Sequence, residues 1–133
     1  MALAEERRDA RERALGLLYE AEAKGCSGSE VLADLPVAAD DFAAGLVRAV
    51  DEHRHRIDAL LSEFSKGWTI SRMPAIDRAA LRMGTAELLT RPDVPTAVVL
   101  NEVVELVSRF STEDSGRFVN GLLAKIATEV RAE

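Results

Sequence analysis

The chain has 133 residues, of which 47% are hydrophobic and 30% are charged. This length suits one folded core better than two, and the hydrophobic content excludes the low-hydrophobicity class of disordered proteins. The 17 Lys and Arg side chains are outnumbered by 23 Asp and Glu side chains, which gives a formal net charge of −6. A nucleic-acid partner therefore requires that the positive side chains gather on one surface, whereas the net charge by itself favours a basic protein partner.

The cysteine content and the hydropathy both bear on the compartment. Cys26 has no second cysteine to pair with in the chain, so a reducing cytoplasm is expected. No apolar run approaches the roughly 18 residues that a membrane span needs, and the N-terminus lacks the basic start and apolar core of a signal peptide. We therefore expect a cytoplasmic protein with no membrane partner.

A first helix is predicted over residues from about 4 to 24, where apolar side chains recur at helical spacing. Arg7 and Arg11 fall inside the apolar arc of this helix, and Arg8 falls at its edge. Because an apolar core does not tolerate unpaired arginines, the first two turns are expected to project beyond the protein body or to line a groove. The alternative is a frayed, solvated helix start that is held by ion pairs between residues four apart.

The next segments predict three shorter helices and a junction. Ser29 is expected to cap a short second helix, and a third helix begins near residues 40–41. A fourth helix, offset in phase from the third, is expected to stop at Gly67. We interpret Trp68 as a buried hinge residue between two halves of the chain, in preference to a base-stacking residue.

A fifth helix is predicted to begin around Pro74 and to run to about Thr90. Glu87 falls on its apolar side, between positions that face the core. An unpaired buried carboxylate is unfavourable, so this side chain must find a donor. We therefore predict that Glu87 is a buried structural anchor.

The C-terminal stretch predicts two apolar helices joined by a polar elbow, residues 110–116, that can cap the second of them. The first has one apolar face, formed by Val99, Val103, Leu106, Val107 and Phe110. The predicted fold class is therefore all-α, with about seven helices and no strand. We expect one domain, 1–133, made of two small helical subbundles, 1–67 and 68–133.

The sequence contains few groups that could support catalysis or bind a metal. His53 and His55 are two residues apart, about 200° around a helix, so they cannot share a metal ion there. The single cysteine excludes a thiolate zinc site, and no glycine-rich phosphate loop is present. Glu102 and Glu105 lie one turn apart on a polar face, which suits ion pairs, solvent or a helix cap. We expect no enzymatic activity, no metal and no cofactor.

Three groups of residues resemble the signatures of the NusB family of bacterial transcription antitermination factors, and they follow the family's order along nearly the whole chain. They are Ala10-Arg11, Ala14-Leu15 and Leu18-Tyr19; then Asp77 to Arg82, Glu87-Leu88 and Val94-Pro95; and finally Asn101 to Leu106, Phe110, Ser115 and Phe118 to Gly121. The resemblance implies a NusB-like helical fold. It also implies an adaptor that binds the single-stranded boxA element of ribosomal RNA leaders together with the ribosomal protein NusE, and that acts on elongating RNA polymerase indirectly.

The resemblance further implies which residues bind. The expected RNA-binding residues are Arg7, Arg8, Arg11, Tyr19, Asp114 and Phe118. For Phe118 a core position is an equal alternative, and for Asp114 a helix cap is one. NusE is expected to dock on the C-terminal half, at Asp77 and Arg78.

One departure from the family pattern leaves other functions open. Acidic residues at positions 5, 6, 9 and 12 interrupt the N-terminal arginines, whereas the family commonly carries a denser basic run. RNA affinity is then weak or depends on a partner. The first alternative is a protein-only adaptor or homodimer with little RNA affinity. The second is a stand-alone relative of the accessory domain of ribosomal RNA cytosine methyltransferases, although no catalytic domain follows.

Overall fold

The computed structural model describes residues 2–131, and within them the chain forms seven α-helices, one short 3₁₀ helix and no strand. The helices are α1 (Ala2–Lys24), α2 (Gly28–Ala33), α3 (Asp41–Glu52), α4 (Arg54–Phe64), α5 (Ala75–Thr90), α6 (Thr96–Phe110) and α7 (Glu113–Val130), and the 3₁₀ helix is Ile70–Arg72. The predicted all-α fold is confirmed. No helix in the part of the chain that the structure describes is long and apolar enough to cross a membrane.

Side-chain caps set several helix starts. The Ser27 hydroxyl accepts a hydrogen bond from the N–H of Glu30 at 3.1 Å, and the Ser27 N–H donates to the Glu30 carboxylate at 3.0 Å. This capping box starts α2 two residues earlier than expected, so the prediction that Ser29 is the cap was wrong. Ser29 instead donates from its N–H and its hydroxyl to Asp51, both at 2.8 Å. Asp40 caps α3 by accepting from the N–H of Ala43 at 2.9 Å.

The predicted elbow between α6 and α7 is present, and Thr112 caps α7 by accepting from the N–H of Ser115 at 2.9 Å. The apolar face of α6 is buried as predicted at Val99, Val103, Leu106 and Val107. Phe110 was wrongly assigned to that buried face. It is the last residue of α6, and 47% of it is exposed, with the Arg109 guanidinium 4.8 Å from its ring centre.

Helix α5 lies at the centre of the fold, because it packs against α1, α3, α4, α6 and α7. Every residue from 79 to 88 is buried. The buried apolar side chains of both predicted halves consequently form one contiguous core. The division into subbundles at residue 67 stays a prediction.

Two glycines are expected to respond oppositely to substitution by alanine. A methyl group at Gly84 of α5 would lie 2.9 Å from Cδ1 of Leu123 and 3.3 Å from Cγ2 of Val103. Gly84→Ala should therefore lower the free energy of unfolding by about 1–3 kcal/mol through overpacking. At Gly16, an exposed position of α1, nothing lies within 4 Å of the added methyl group. Gly16→Ala should raise the free energy of unfolding by about 0.5–1 kcal/mol.

Urea unfolding of both variants measures the two effects on the same scale. Gly16→Ala serves as the control for a general effect of the added methyl group. A change of the same sign in both variants would contradict the close packing of α5 against α6 and α7.

Candidate nucleic-acid and protein interface

Three arginines from two parts of the chain surround one aromatic ring. The guanidinium carbons of Arg7, Arg11 and Arg91 lie 4.8, 5.2 and 4.7 Å from the centre of the Phe42 ring. Cations over an aromatic face attract its ring quadrupole, which offsets part of their mutual repulsion. We refer to Arg7, its neighbour Arg8 on α1, and Arg91 as the arginine cluster. Arg8 is bound to α6, and Arg11 is left out of the cluster because it is buried, as described below.

Asp93 holds two members of the arginine cluster. Arg91 donates to both carboxylate oxygens of Asp93, at 3.1 and 3.0 Å, and Nη2 of Arg7 lies 3.6 Å from the same carboxylate. These hydrogen bonds from Arg91 lower the pKa of Asp93 to about 2. Asp93 is therefore ionised throughout the physiological range and keeps the two arginines side by side. Arg91 was not predicted as a binding residue, because its one sequence feature is a basic side chain at the start of a proline-rich connector.

Arg11 has a different environment from its neighbours on α1. It donates to both oxygens of Glu87, with Nε at 2.9 Å from Oε1 and Nη2 at 2.6 Å from Oε2. Glu87 is 0% exposed and Arg11 is 2% exposed. The prediction that Glu87 is a buried anchor is confirmed, and Arg11 is its donor. The expectation that the first two turns of α1 project from the body or line a groove was wrong at Arg11, because its charge is paired inside the core.

The face of α1 that meets α6 carries two ion pairs. Arg8 donates to both oxygens of Glu102 at 3.1 and 3.2 Å, and Arg109 donates to Glu12 at 3.2 Å. Arg8 and Glu12, which are four residues apart and were considered as a pair within α1, instead pair with residues of α6. Tyr19 lies further along this face of α1, and 44% of it is exposed.

A second surface feature is a pocket of about 370 Å³ between the 3₁₀ helix and the start of α7. We call it the aromatic pocket; it is lined by Trp68, Arg72, Met73, Pro74, Asp77, Asp114, Ser115 and Phe118. The ring centroids of Trp68 and Phe118 lie 5.8 Å apart at an interplanar angle of 55°. Residues predicted separately for RNA and for protein binding are thus brought together here.

Trp68 is 58% exposed, so the prediction of a buried hinge residue was wrong. The backbone turns through left-handed conformations at Lys66 (φ 50°) and Gly67 (φ 92°), and the indole is then placed at the surface against Phe118. Phe118 is half-buried, so its exposure does not decide between the core position and the RNA contact that were considered for it. Asp114 is exposed and pairs with Arg117.

Asp77 has an unsatisfied acceptor. It is 3% exposed, and among residues 2–131 its Oδ1 is the one buried side-chain nitrogen or oxygen that lacks a hydrogen-bond partner. The carboxylate lies in the first turn of α5, where the helix dipole favours a negative charge. A buried acceptor without a donor nevertheless costs free energy. The aromatic pocket therefore combines two aromatic side chains with an acceptor that can receive a hydrogen bond.

Arg78 lies beside the aromatic pocket but is engaged within the fold. It donates to the carbonyls of Ile70 and Met73 at 3.1 and 2.6 Å, which fixes the 3₁₀ helix, and to Glu22 of α1 at 2.7 Å. Glu22 also accepts from Arg82 at 3.2 Å. This ionic network ties α1 to α5.

The network predicts a pH dependence of stability. Hydrogen bonds from Arg78 lower the pKa of Glu22 below its ordinary value of 4.5. Because the pKa of Glu22 is lower in the folded state than in the unfolded state, its charge contributes fully to the free energy of unfolding at pH values above the ordinary pKa. This contribution is lost as the pH falls through the folded-state pKa. Glu22→Gln should therefore lower the Tm at pH 7, and the difference from the parent chain should vanish in acid.

Thermal unfolding between pH 7 and pH 2 measures the difference in Tm between Glu22→Gln and the parent chain. Glu63→Gln, at an exposed position of α4, is the control and should give a small difference throughout. A deficit of Glu22→Gln that is independent of pH would contradict the role assigned to its charge.

The fold and its surface features define a class of protein: an all-α binding protein with an arginine cluster and a separate aromatic pocket. Within the described part of the chain, no group of three or more His, Cys, Asp or Glu side chains could hold a metal ion. The model of the NusB family matches residues 8–128, and the chain belongs to this family.

Similar proteins agree with this assignment. The transcription antitermination protein NusB of Kineococcus radiotolerans is 48% identical over 125 residues, which cover 91% of this chain and 92% of that protein. A structure of T. maritima NusB superposes with a TM-score of 0.82 at 33% identity, covering 92% of this chain and 91% of that one. A chain in a crystal structure of antitermination factors NusB and NusE in complex with double-stranded RNA gives 0.79 at 29% identity, covering 94% and 98%. The family resemblance seen in the sequence is confirmed.

Proposed function

We propose that this chain is a cytoplasmic transcription antitermination adaptor that binds a single-stranded boxA-type ribosomal RNA leader together with NusE, and so connects both to elongating RNA polymerase. The observation that carries the proposal is the likeness, over 94% of the present chain, to a chain of the complex of NusB and NusE with double-stranded RNA. That the RNA bound here is a single strand rests on the resemblance of the sequence to the NusB family. In this account the arginine cluster binds RNA, and the aromatic pocket binds NusE.

The arginine cluster supports RNA binding through charge. The side chains of Arg7, Arg8 and Arg91 are 26%, 49% and 33% exposed, so each can reach a phosphate oxygen. Arg109 and the exposed rings of Tyr19 and Phe110 can continue this surface along α1 and α6, because single-stranded RNA is held by cations and by base stacking on aromatic rings. Arg11 contributes by fixing α1 against α5 through Glu87.

The same geometry supports a need for NusE. Arg8 is paired with Glu102, and Arg7 and Arg91 share Asp93. RNA phosphates must compete with these carboxylates, which weakens RNA binding by the chain alone. A second contact through NusE raises the effective concentration of RNA at the arginine cluster and offsets that weakness.

The aromatic pocket supports docking of a basic protein. Asp77 offers an unpaired acceptor inside the pocket. Asp114, which the family resemblance assigned to RNA binding, lies at the rim of this pocket and is assigned here to NusE instead. A net charge of −6 also favours association with a basic ribosomal protein. We propose that NusE donates a hydrogen bond to Asp77, and that Arg78 shapes the pocket by fixing the 3₁₀ helix.

Asp77→Asn tests this assignment with little change of shape. Losing one charge of a buried pair costs about 2 kcal/mol or more, so the Kd for NusE should rise by about thirtyfold or more. The Tm should change little, since Oδ1 has no partner within the described chain to lose. Asp41→Asn, an exposed carboxylate in the first turn of α3, is a matched control for the helix-dipole contribution. Equal NusE affinity of Asp77→Asn and the parent chain would remove Asp77 from the site.

RNA recognition is tested by equilibrium binding of three probes over a salt series: a single-stranded boxA-type RNA, a scrambled strand and a duplex of the boxA-type sequence. We expect the boxA-type strand to bind most tightly, with a slope of about −0.7 in log affinity per phosphate neutralised. Equal binding of the scrambled strand would contradict sequence recognition, and tighter binding of the duplex would contradict recognition of a single strand. Absence of RNA binding with NusE association intact would support the protein-only adaptor.

A further inference from the structure

We propose that Arg131, which follows the last residue of α7, is a positioning residue for the arginine cluster. This inference rests on the proposed RNA-binding function. The guanidinium of Arg131 donates to four oxygen atoms, at the end of α5, in the connector to α6 and at the first residue of α6. They are the carbonyl oxygens of Leu88 at 3.0 Å, Arg91 at 2.7 Å and Val94 at 2.7 Å, and the Thr96 hydroxyl at 3.1 Å.

These acceptors explain why the residue is an arginine. The last carbonyls of a helix have no partner within the helix, and Leu88 lies in the final turn of α5. A guanidinium offers five N–H donors in a rigid planar fork, so one side chain can bind several carbonyls in fixed directions. A lysine ammonium lacks this fork. Arg131 thus fixes the backbone of the connector, residues 91–95, to the end of α7.

The connector carries the side chains that complete the arginine cluster. Arg91 places its guanidinium 4.7 Å from the Phe42 ring centre, and Asp93 bridges Arg91 and Arg7. Because Arg131 binds the carbonyl oxygen of Arg91, it fixes the backbone position from which the Arg91 side chain extends. The C-terminal end of α7 therefore sets the spacing of cations that come from α1 and from the connector.

The position of Arg131 predicts that loss of its hydrogen bonds does not change NusE binding. Phe118, the residue of α7 that faces Trp68 in the aromatic pocket, lies about 20 Å from Arg131 at the rise of an α-helix. Loss of the Arg131 hydrogen bonds should move Arg91 and Asp93 and leave the aromatic pocket in place.

The experiment compares Arg131→Lys and Arg131→Ala with the parent chain, by fluorescence anisotropy on labelled boxA-type RNA well below the Tm. Both variants should bind RNA roughly threefold to tenfold more weakly, while their Kd for NusE is unchanged. Arg131→Lys should not restore the RNA affinity, since lysine keeps the charge but lacks the planar set of N–H donors. Lys125→Ala, an exposed cation of the same helix, is the control and should bind as the parent chain does.

A double-mutant cycle with Arg91→Ala separates positioning from a merely structural role. If Arg131 acts through Arg91 and Asp93, Arg131→Ala should weaken RNA binding less in the Arg91→Ala background than in the parent chain, because one of the two groups that it positions is already absent. Additive losses, full rescue by lysine, or a parallel loss of NusE affinity would overturn the inference. If the parent chain itself does not bind RNA, the proposed function fails; if it binds and Arg131→Ala binds equally well, only the inference fails.

Discussion

Replacing Glu87 by alanine is expected to lower the free energy of unfolding by about 3–5 kcal/mol, because it removes the carboxylate that accepts the hydrogen bonds of a buried arginine. Arg11 is 2% exposed and points at Glu87 from the neighbouring helix α1. With the Glu87 carboxylate removed, the buried guanidinium keeps only a longer contact to Glu102, whose Oε1 lies 3.9 Å from Nη1 of Arg11. It must then either remain without hydrogen-bond acceptors in the core or pull α1 away from α5. Urea unfolding monitored by circular dichroism measures the loss.

A double variant makes this prediction specific. Arg11→Met combined with Glu87→Leu removes both charges and keeps the volume, and such replacements of buried ion pairs are often neutral. It should therefore recover most of the stability lost by Glu87→Ala. Arg8→Ala, which breaks an exposed pair on the same helix, should have a much smaller effect. A Glu87→Ala variant as stable as the parent chain would show that the pair does not hold α1 against α5.

The double variant also tests the part that Arg11 plays in RNA binding. Its RNA affinity should stay close to that of the parent chain, because Arg11 is assigned to hold the helix in place. A folded double variant that no longer binds RNA would instead show that Arg11 contacts RNA directly.

Arg7→Ala combined with Arg8→Ala is expected to weaken binding of boxA-type RNA by about tenfold or more, and to reduce the salt slope by roughly 1.4, the value for two phosphates on a single strand. The reason is that these arginines are the exposed cations of α1 in the arginine cluster. The helix itself should persist, since Arg11 still anchors it to Glu87. Binding over a salt series, with helicity measured in parallel, tests both statements.

The matched control removes the same charge elsewhere. Arg13→Ala combined with Arg48→Ala takes two exposed arginines from α1 and α3, outside the arginine cluster. Its RNA affinity should change far less. Equal losses in the two double variants would mean that RNA responds to net charge alone, and the arginine cluster would then have no particular role.

The sequence was sufficient for features that depend on spacing along one helix. The all-α class, the elbow at Thr112 and the burial of Glu87 follow from the 3.6-residue period and from capping chemistry. Periodicity identifies a position as core-facing but not the element that packs on it. The partner of Glu87 lies 76 residues away, which is why Arg11 was expected at the surface.

The candidate site was less predictable, because its parts come from separate elements. Phe42, Arg7 and Arg91 belong to α3, α1 and the connector, and only the packing around α5 brings them together. Trp68 was placed inside the core because large aromatic side chains are usually buried. The left-handed turn at residues 66–67 instead places it on Phe118, in the aromatic pocket.

RNA and NusE are proposed to bind this chain at separate sites that reinforce each other. The most direct test is the Kd for boxA-type RNA with and without saturating NusE, together with the Kd for NusE with and without saturating RNA. Because linkage is reciprocal, the two ratios should agree, and we expect each affinity to rise by about tenfold. If RNA affinity is the same in the presence and absence of NusE, the two sites are independent and the adaptor account is contradicted.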